Sequence, residues 1–304
     1  MENARVGYLG PEGSFGHEAV STLENVRAVP CRSIADILSA VADGSVDLGL
    51  VPIENAIEGT VSATIDGLVF DHDLLIEREI VIPIRLHLLA RRGVVLEEVK
   101  KVWSYVHALA QCRNFLHQLE VTCEETTSTS QAAHEVAQSD EPWAAVASKT
   151  AGDLFGLVAL ASDIEDHPGN ETRFVAVGRD TITPPTGHDR TTIVCFQDTD
   201  RPGSLYGILG RFAARDINLT KLESRPTKRG LGEYCFVIEF EGHVADDVVA
   251  DCLADLQAHL ARVKFLGSYS VTGAEAVDRR AEIAEARKSA SEWIDAIRAR
   301  VRSS

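Results

Sequence analysis

The chain has 304 residues, enough for two ordinary domains with separate cores, and the 45% apolar and 25% charged content of a globular protein. An excess of 46 acidic over 30 basic residues leaves a formal charge of −16, which excludes the basic surface that nucleic-acid binding needs. Six scattered cysteines without a C-x-x-C pair and ten histidines without a ligand spacing predict no disulfide framework, no zinc and no other metal, the cysteines being small buried residues of a reducing compartment.

The opening residues MENARVGYLGPEG enter a strand directly, with no basic region and no apolar leader, and no later run reaches the length of a membrane span. The expectation is a cytoplasmic protein acting on a small ligand without a membrane partner. Arg5–Leu9 reads as a strand, Ser14–Leu23 as a helix and Val26–Cys31 as a second strand. Ile34, Ile37, Leu38 and Val41 recur at helical spacing, Ser33 and Asp36 resemble a capping box, and Gly44 fits the stop. Val46–Val51 is a short apolar strand that Pro52 should end. From Leu74 to Arg91 the chain is strand-like, with Ile84, Leu86 and Leu88 alternating against Arg85 and His87, and could cross from one lobe to another.

A second alternating run follows: strand Val102–Tyr105, helix Ala108–Leu119, strand Val121–Glu124, helix Gln131–Gln138, strand Ala144–Ser148. The chain returns through TRFVAVG, where Phe174–Val177 form a buried strand with Thr172 and Arg173 at its rim. This alternation predicts two α/β lobes joined by crossing strands, with a cleft between them for a small ligand. TITPPTGHDR (181–190) has the composition of a linker. Beyond it, strand Thr191–Gln197, a helix marked by Leu205, Ile208, Leu209 and Phe212, strands Ile217–Glu223 and Tyr234–Phe240, helix Asp246–Leu260 and strand Val263–Tyr269 spell βαββαβ, a ferredoxin-like unit. The charged tail from Ala274 to Val301 reads as a helix with Ala290, Trp293, Ile294 and Ile297 on one stripe, packed on its own protein or on a partner subunit. The expected division is 1–180, linker 181–190, 191–270 and tail 271–304.

Several strand ends carry polar motifs. GPEGSFGHEA (10–19) has neither a dinucleotide nor a Walker spacing; Ser14 is a helix cap, or the loop's N–H groups hold a carboxylate. VPIENAIEGTV (51–61) offers Glu54, Asn55, Glu58 and Thr60 near a strand's carboxyl end, where open α/β sheets gather ligands, though by itself it also reads as a polar loop. STSQAA (128–133) opens a helix with the hydroxyls Ser128 and Thr129, and SYVHALAQC (104–112) opens another.

In order, GPEGSF, VPIENAIEG, ALAQC, STSQAA and NETRF resemble the successive signatures of prephenate dehydratases. GSLYGILGRFAARDINLTKLESRP and GEYCFVIEFEGH resemble the ACT regulatory domain attached to them, so the likeness runs from Val6 to Tyr269. The resemblance implies a bilobed, periplasmic-binding-protein-like α/β catalytic domain followed by the ferredoxin-like ACT domain. It also implies conversion of prephenate to phenylpyruvate, CO2 and water without a cofactor, and regulation by phenylalanine in a homodimer or homotetramer. It assigns the departing ring hydroxyl to Thr172, which as a weak acid is expected to donate a hydrogen bond rather than a full proton. Arg173 would hold a substrate carboxylate through a bidentate contact, or lock the strand edge and position Thr172. Asn55, Thr60, Ser128, Thr129, Asn170 and Phe174 would line the cleft. Gly203, Ser204, Leu205, Asn218, Leu219, Glu223 and Ser224 would receive phenylalanine at a subunit interface. Two departures from the family pattern stand out: Ala56 replaces a serine, and Tyr105, Val106 and His107 replace His, Pro and Gln. If these residues touch substrate, the rival reading is a prephenate decarboxylase that leaves the ring non-aromatic. A non-catalytic amino-acid sensor is the reading from another class.

Overall fold

The structure, a computed structural model, describes residues 3–197, 201–228, 230, 232–271, 292–294 and 296–300. Most of the expected tail helix lies outside the described residues; 292–294 and 296–298 are helical, with Trp293, Ile294 and Ile297 exposed.

Alternation of strand and helix builds the first lobe as expected. β1 (Ala4–Leu9) is flanked in parallel by β2 (Val26–Cys31) and β3 (Leu48–Asn55), with α1 (Phe15–Ser21) and α2 (Ile34–Ala42) as crossovers. The Ser33 hydroxyl accepts from Asp36 N at 3.1 Å, and Gly44 takes a φ of +81° where the chain leaves α2. A two-residue β4 (Gly59–Thr60) folds back on β3, and α3 (Ser62–Asp66) continues into a wider-wound turn at Gly67–Asp71. β5 (Leu75–Pro83) then crosses to the second lobe. There β6 (His87–Ala90), β7 (Lys101–Tyr105), β8 (Thr122–Thr126), β9 (Trp143–Ala147) and β10 (Val158–Ala161) form a five-stranded sheet in the order β10-β6-β9-β7-β8. The return strand β11 (Glu171–Gly178) inserts antiparallel between β3 and β5. The outward and return crossings run side by side, Ile84 N donating to Asn170 O and Ile164 N to Leu86 O.

Three local expectations differ from the structure. Helix Ala108–Leu119 is two helices, α4 (Val106–Gln111) and α5 (Arg113–Gln118), broken at Cys112. The break has a local cause: the Asp166 carboxylate accepts from Asn114 N, while Asp166 N donates to Gln111 O, so the return crossing caps both ends of the break. α6 (Thr129–Gln138) starts as expected, but α7 (Lys149–Phe155) and β10 follow where the sequence showed no pattern. Among the cysteines, 112, 195, 235 and 252 are buried, Cys31 is half-buried and Cys123 is exposed.

The third difference matters most. Pro52 does not end β3; the strand runs on to Asn55. The ladder with β11 shifts there, pairing Phe174 with Pro52 and Arg173 with Glu54, so that Ile53 is an extra residue, a β-bulge. Pro52 has no N–H to give the ladder, and the bulge accommodates it.

Beyond residues 181–188 lies a four-stranded antiparallel sheet, ordered β13-β14-β12-β15: β12 (Asp189–Phe196), β13 (Leu219–Pro226), β14 (Tyr234–Glu241) and β15 (Arg262–Ser270). α8 (Ser204–Ala213) and α9 (Asp247–His259) cover one face through Ile208, Phe212, Val249 and Leu256. The other face packs on the first lobe, where Val194, Val237, Leu266 and Tyr269 share one core with Val51, Ile53, Ile76 and Val175. Lys264 reaches across to donate to His72 O at 2.7 Å, closing the carbonyl end of the Gly67–Asp71 turn. Among the described residues, no helix is long and apolar enough to cross a membrane.

Gly267 allows the closest approach across this contact. Its φ is +139°, and a Cβ there would be driven into the backbone of Ile76 in β5. Gly267→Ala should therefore cost about 3 kcal/mol or more, as overpacking against an unyielding backbone does, read as a lowered urea midpoint with the slope unchanged.

Candidate functional site

The polar motifs gather because of strand direction. The first lobe's parallel strands β1 and β3 end at GPEG and ENAIEG; β7, β8 and β9 of the second lobe end at YVHA, STSQ and SKT. These are the carboxyl edges where α/β sheets bind ligands. The amino end of the antiparallel β11 brings Thr172 beside the carboxyl end of β3, opposite Asn55.

Thr172 is 8% exposed and Asn170 3%. The Asn55 Oδ1 accepts from Ile57 N and Glu58 N, both at 3.0 Å, which fixes the amide's orientation. Its Nδ2 therefore donates, to Thr172 Oγ1 at 2.9 Å and to Asn170 Oδ1 at 2.9 Å. Asn170 Nδ2 passes the chain on to Gln111 Oε1 at 3.2 Å, at the end of α4 in the second lobe. The Thr172 hydroxyl thus receives a hydrogen bond and keeps its own proton to give. Gln111 was missed as a site residue, although ALAQC carries it.

The bulge makes this pairing. Leu50 lies on the face with Phe174 and Ala176, whereas Val51 and Ile53 lie on the face toward the ACT sheet. Regular alternation from Ile53 would turn Glu54 toward the cleft and Asn55 away from it. The extra residue reverses the two, and Asn55 meets Thr172.

The other expected site residues divide. Ser128 caps α6, accepting from Gln131 N at 3.0 Å; Thr129 in the first turn is 8% exposed. The 10–14 loop of the first lobe is tied to the second: Ser130 donates to Glu12 O, and Ser148 to Gly13 O at 3.2 Å. Ser14 is a helix cap, its hydroxyl accepting from His17 N and donating to Leu9 O. Of the departures, His107 of the second lobe contacts Glu58 of the first at 3.2 Å and stacks on Tyr105. Neither belongs to the Thr172–Asn55–Asn170–Gln111 chain.

Two residues expected to line the cleft, Phe174 and Thr60, point elsewhere, and Arg173 lies at the strand edge, one of its two expected places. Phe174 is 3% exposed and packs in the core with Val6, Tyr8 and Leu50. Thr60 stands opposite Glu54 and gives its hydroxyl to Glu223 of β13 at 2.7 Å, because β4 turns that side toward the ACT sheet. Arg173, next to Thr172 on the strand, emerges on that same face. Its guanidinium meets Glu54 at 2.8 Å, Glu79 at 3.2 Å and Glu239 of the ACT sheet at 2.9 Å. Burial works against its charge, but Glu239 and Glu79 outweigh it and hold its pKa above the ordinary value. Of the two roles open to Arg173, a substrate clamp would require leaving these carboxylates.

On the ACT domain, Gly203 (φ +88°) precedes α8, and Ser204 lines a cavity of ≈ 260 Å³ with Arg201, Gly207, Arg211 and His259. Asn218 bonds Glu241 at 3.1 Å, Leu219 packs against the ACT core, and Ser224 is exposed on the edge strand. Leu205, in the first turn of α8, is half-buried. Glu223 is turned instead toward the first lobe.

Residues 6–182 match the family profile described as prephenate dehydratase, and residues 191–258 match that of the ACT domain. A bifunctional chorismate mutase/prephenate dehydratase of Aquifex aeolicus is 41% identical over 87% of this chain and 73% of its own length. A prephenate dehydratase of Amycolatopsis methanolica is 37% identical over 97% and 98%. Among solved structures, a prephenate dehydratase from Arthrobacter aurescens in complex with L-Phe superposes with a TM-score of 0.85 at 37% identity, covering 96% of this chain and 99% of that one.

Replacing Arg173 by Met would leave the Glu79 and Glu239 side chains, each 2% exposed, to share the charge of Arg190. The expected loss of stability is about 3 kcal/mol, read from urea unfolding. Acid should act on the same contact. Burial raises the Glu54 pKa, yet Arg173 and Lys221 bring it below 4.5; burial raises that of Asp66, yet Arg225 and Lys228 bring it below 3.8. Their stabilisation is complete above those unfolded values and is withdrawn as pH falls through the lower folded ones. For these two groups the urea midpoint should be level from pH 7 to about 5 and drop below about pH 4.5.

Proposed function

This chain belongs to the prephenate dehydratase family, carries an ACT domain, and converts prephenate to phenylpyruvate, CO2 and water; from that premise we propose that Thr172 serves the departing hydroxyl and Asn55 prepares it. As the ring carboxylate leaves, the electron pair of the broken C–C bond runs through the diene and expels hydroxide from the opposite ring carbon. Aromatisation drives the step, and hydroxide needs a hydrogen bond as its bond to carbon lengthens. The observation that carries this reading is the direction of the Asn55–Thr172 contact: Asn55 donates, so the Thr172 proton is available, and a hydroxyl that accepts one hydrogen bond donates a stronger one. Asn170 and Gln111 hold Asn55 in place from the second lobe.

Ser128 and Thr129 open a ten-residue helix whose first N–H groups lack intrahelical partners, a receptor for one substrate carboxylate. Arg173 is a positioning residue, tied on the far face. Phenylalanine would bind near the start of α8, supported by Ser204, Arg201 and Arg211 around the cavity and by the L-Phe complex of the Arthrobacter protein. A homodimer or homotetramer is supported by the edge strand β13, where Leu222 is 44% exposed, and by Tyr206, 81% exposed on α8. The six free cysteines favour the cytoplasm.

Thr172→Val should lower kcat about 10²–10³-fold with KM within about twofold, measured as phenylpyruvate formation above the spontaneous rate. Wild-type turnover in that variant would remove Thr172 from the reaction. A non-aromatic product of the wild-type protein, identified by NMR, would instead make it a decarboxylase.

A further inference from the structure

The residues next to the Asn55–Thr172 pair are gripped by the ACT sheet. Glu54 precedes Asn55 and Arg173 follows Thr172; the pleat and the bulge send both to the opposite face. There Lys221 Nζ of β13 donates to Glu54 Oε1 at 3.2 Å, while Glu54 Oε2 accepts from Arg173 Nη2 at 2.8 Å. The same Nη2 meets Glu239 Oε2 of β14 at 2.9 Å. Lys221 and Glu239 stand directly opposite each other in the β13–β14 register. Two neighbouring ACT side chains therefore hold the backs of both strands that carry the site.

We propose that Lys221 and Glu239 are positioning residues for the Asn55–Thr172 pair, and that β13 is the strand through which an effector on the ACT domain changes turnover. The inference rests on the function proposed above. Its physical basis is the bulge. Ile53 stands outside the β3–β11 ladder, where a bulge bends the strand and raises its local twist, and the contacts of Lys221 and Arg173 with Glu54 bear on the angle at which the next residue, Asn55, meets Thr172. A small rotation there would pull the Asn55 amide off the Thr172 hydroxyl, and misplacements on the order of 1 Å cost about 10²-fold in rate. β13 is an edge strand with two functions on its two faces. Lys221, Glu223 and Arg225 point to the first lobe, where they meet Glu54, Thr60 and Asp66, while Leu222 and Ser224 are exposed on the other side. Of the residues expected to receive phenylalanine besides those at the start of α8, Asn218 precedes β13 and Leu219 and Ser224 lie on it, so a ligand that favours one position of this strand shifts the lobe contacts with it, by its differential affinity.

The test uses the full-length protein. Lys221→Met keeps the aliphatic stem and removes the charge; Lys221→Arg restores it. The measurements are kcat and KM for prephenate, Kd for phenylalanine by calorimetry, and residual activity at saturating phenylalanine. Lys221→Met should lower kcat about tenfold with KM within about twofold, bind phenylalanine with unchanged Kd, and lose most of its inhibition, within the range of ordinary coupling energies. Lys221→Arg should recover both. Adding Lys221→Met to Glu54→Gln should cost little more than Glu54→Gln alone, because Lys221 reaches the site strands through Glu54. Glu239→Gln removes a buried counter-charge; if it fails to fold, the Lys221 series decides. Wild-type kcat and full inhibition in Lys221→Met, beside normal wild-type turnover, would overturn this inference alone. A loss of thermal stability in Lys221→Met with neither rate nor inhibition changed would reduce the contact to a structural one and overturn it equally. Absence of prephenate turnover in the wild-type protein would overturn the function itself.

Discussion

One extra residue in β3 decides which side chains meet on each face of the first lobe's sheet. Strands place successive side chains on opposite faces, so a bulge at Ile53 exchanges the faces of everything after it. Because of it, Asn55 opposes Thr172 in the cleft, and Glu54 joins Arg173 on the face that the ACT sheet covers. A regular strand with the same residues would bury the amide against the ACT sheet and leave a carboxylate beside the Thr172 hydroxyl.

The ionic contact that results is not an economical way to stabilise an interface. Desolvating Arg173, Glu79 and Glu239 costs several kcal/mol per ion in a typical interior, and their attraction roughly repays it. The apolar core shared by Val194, Val237, Leu266 and Tyr269 with Val51, Ile76 and Val175 already holds the ACT sheet to the lobe. What the charges add is direction. An apolar face tolerates small slides, whereas Arg173 between three carboxylates satisfies all of them in a narrow range of positions. The contact is therefore suited to fixing a strand end, and equally to reporting a change in its angle.

The sequence made the α/β alternation legible because amphipathic helices such as Ile34–Ala42 and apolar strands such as β9 advertise their burial directly. The βαββαβ order of the last domain was legible for the same reason. The motif loops were placed correctly at strand ends, and Asn55, Asn170 and Thr172 do come together. The errors share one origin: facing direction depends on ladder register, which local sequence does not encode. Pro52 looked like a terminator because a proline ends most strands, and only the partner strand reveals the bulge that accommodates it. Thr60 was expected in the cleft on account of its neighbours, yet it emerges on the far side, where Arg173, left open between a substrate carboxylate and the strand edge, also lies. The break at Cys112 was hidden too, since the Asp166 that makes it lies in the return crossing, far along the chain.

The distribution of cations completes the argument. With a formal charge of −16, a cleft for a dianion would be expected to collect arginines and lysines. Yet Arg173, Arg190, Lys221, Arg225 and Lys264 all lie where the ACT sheet meets the first lobe, bonded to carboxylates or carbonyls. The residues hydrogen-bonded in a chain to Thr172 are neutral: two asparagines and a glutamine. Neutral donors suit the reaction. A guanidinium clamped on the ring carboxylate would stabilise the charge that must leave as CO2, lowering the ground state more than the transition state. Amide and hydroxyl donors can orient the substrate and strengthen at the departing oxygen, where charge grows. Among the described residues, the buried cations named above align strands, while the group around Thr172 is held by hydrogen bonds.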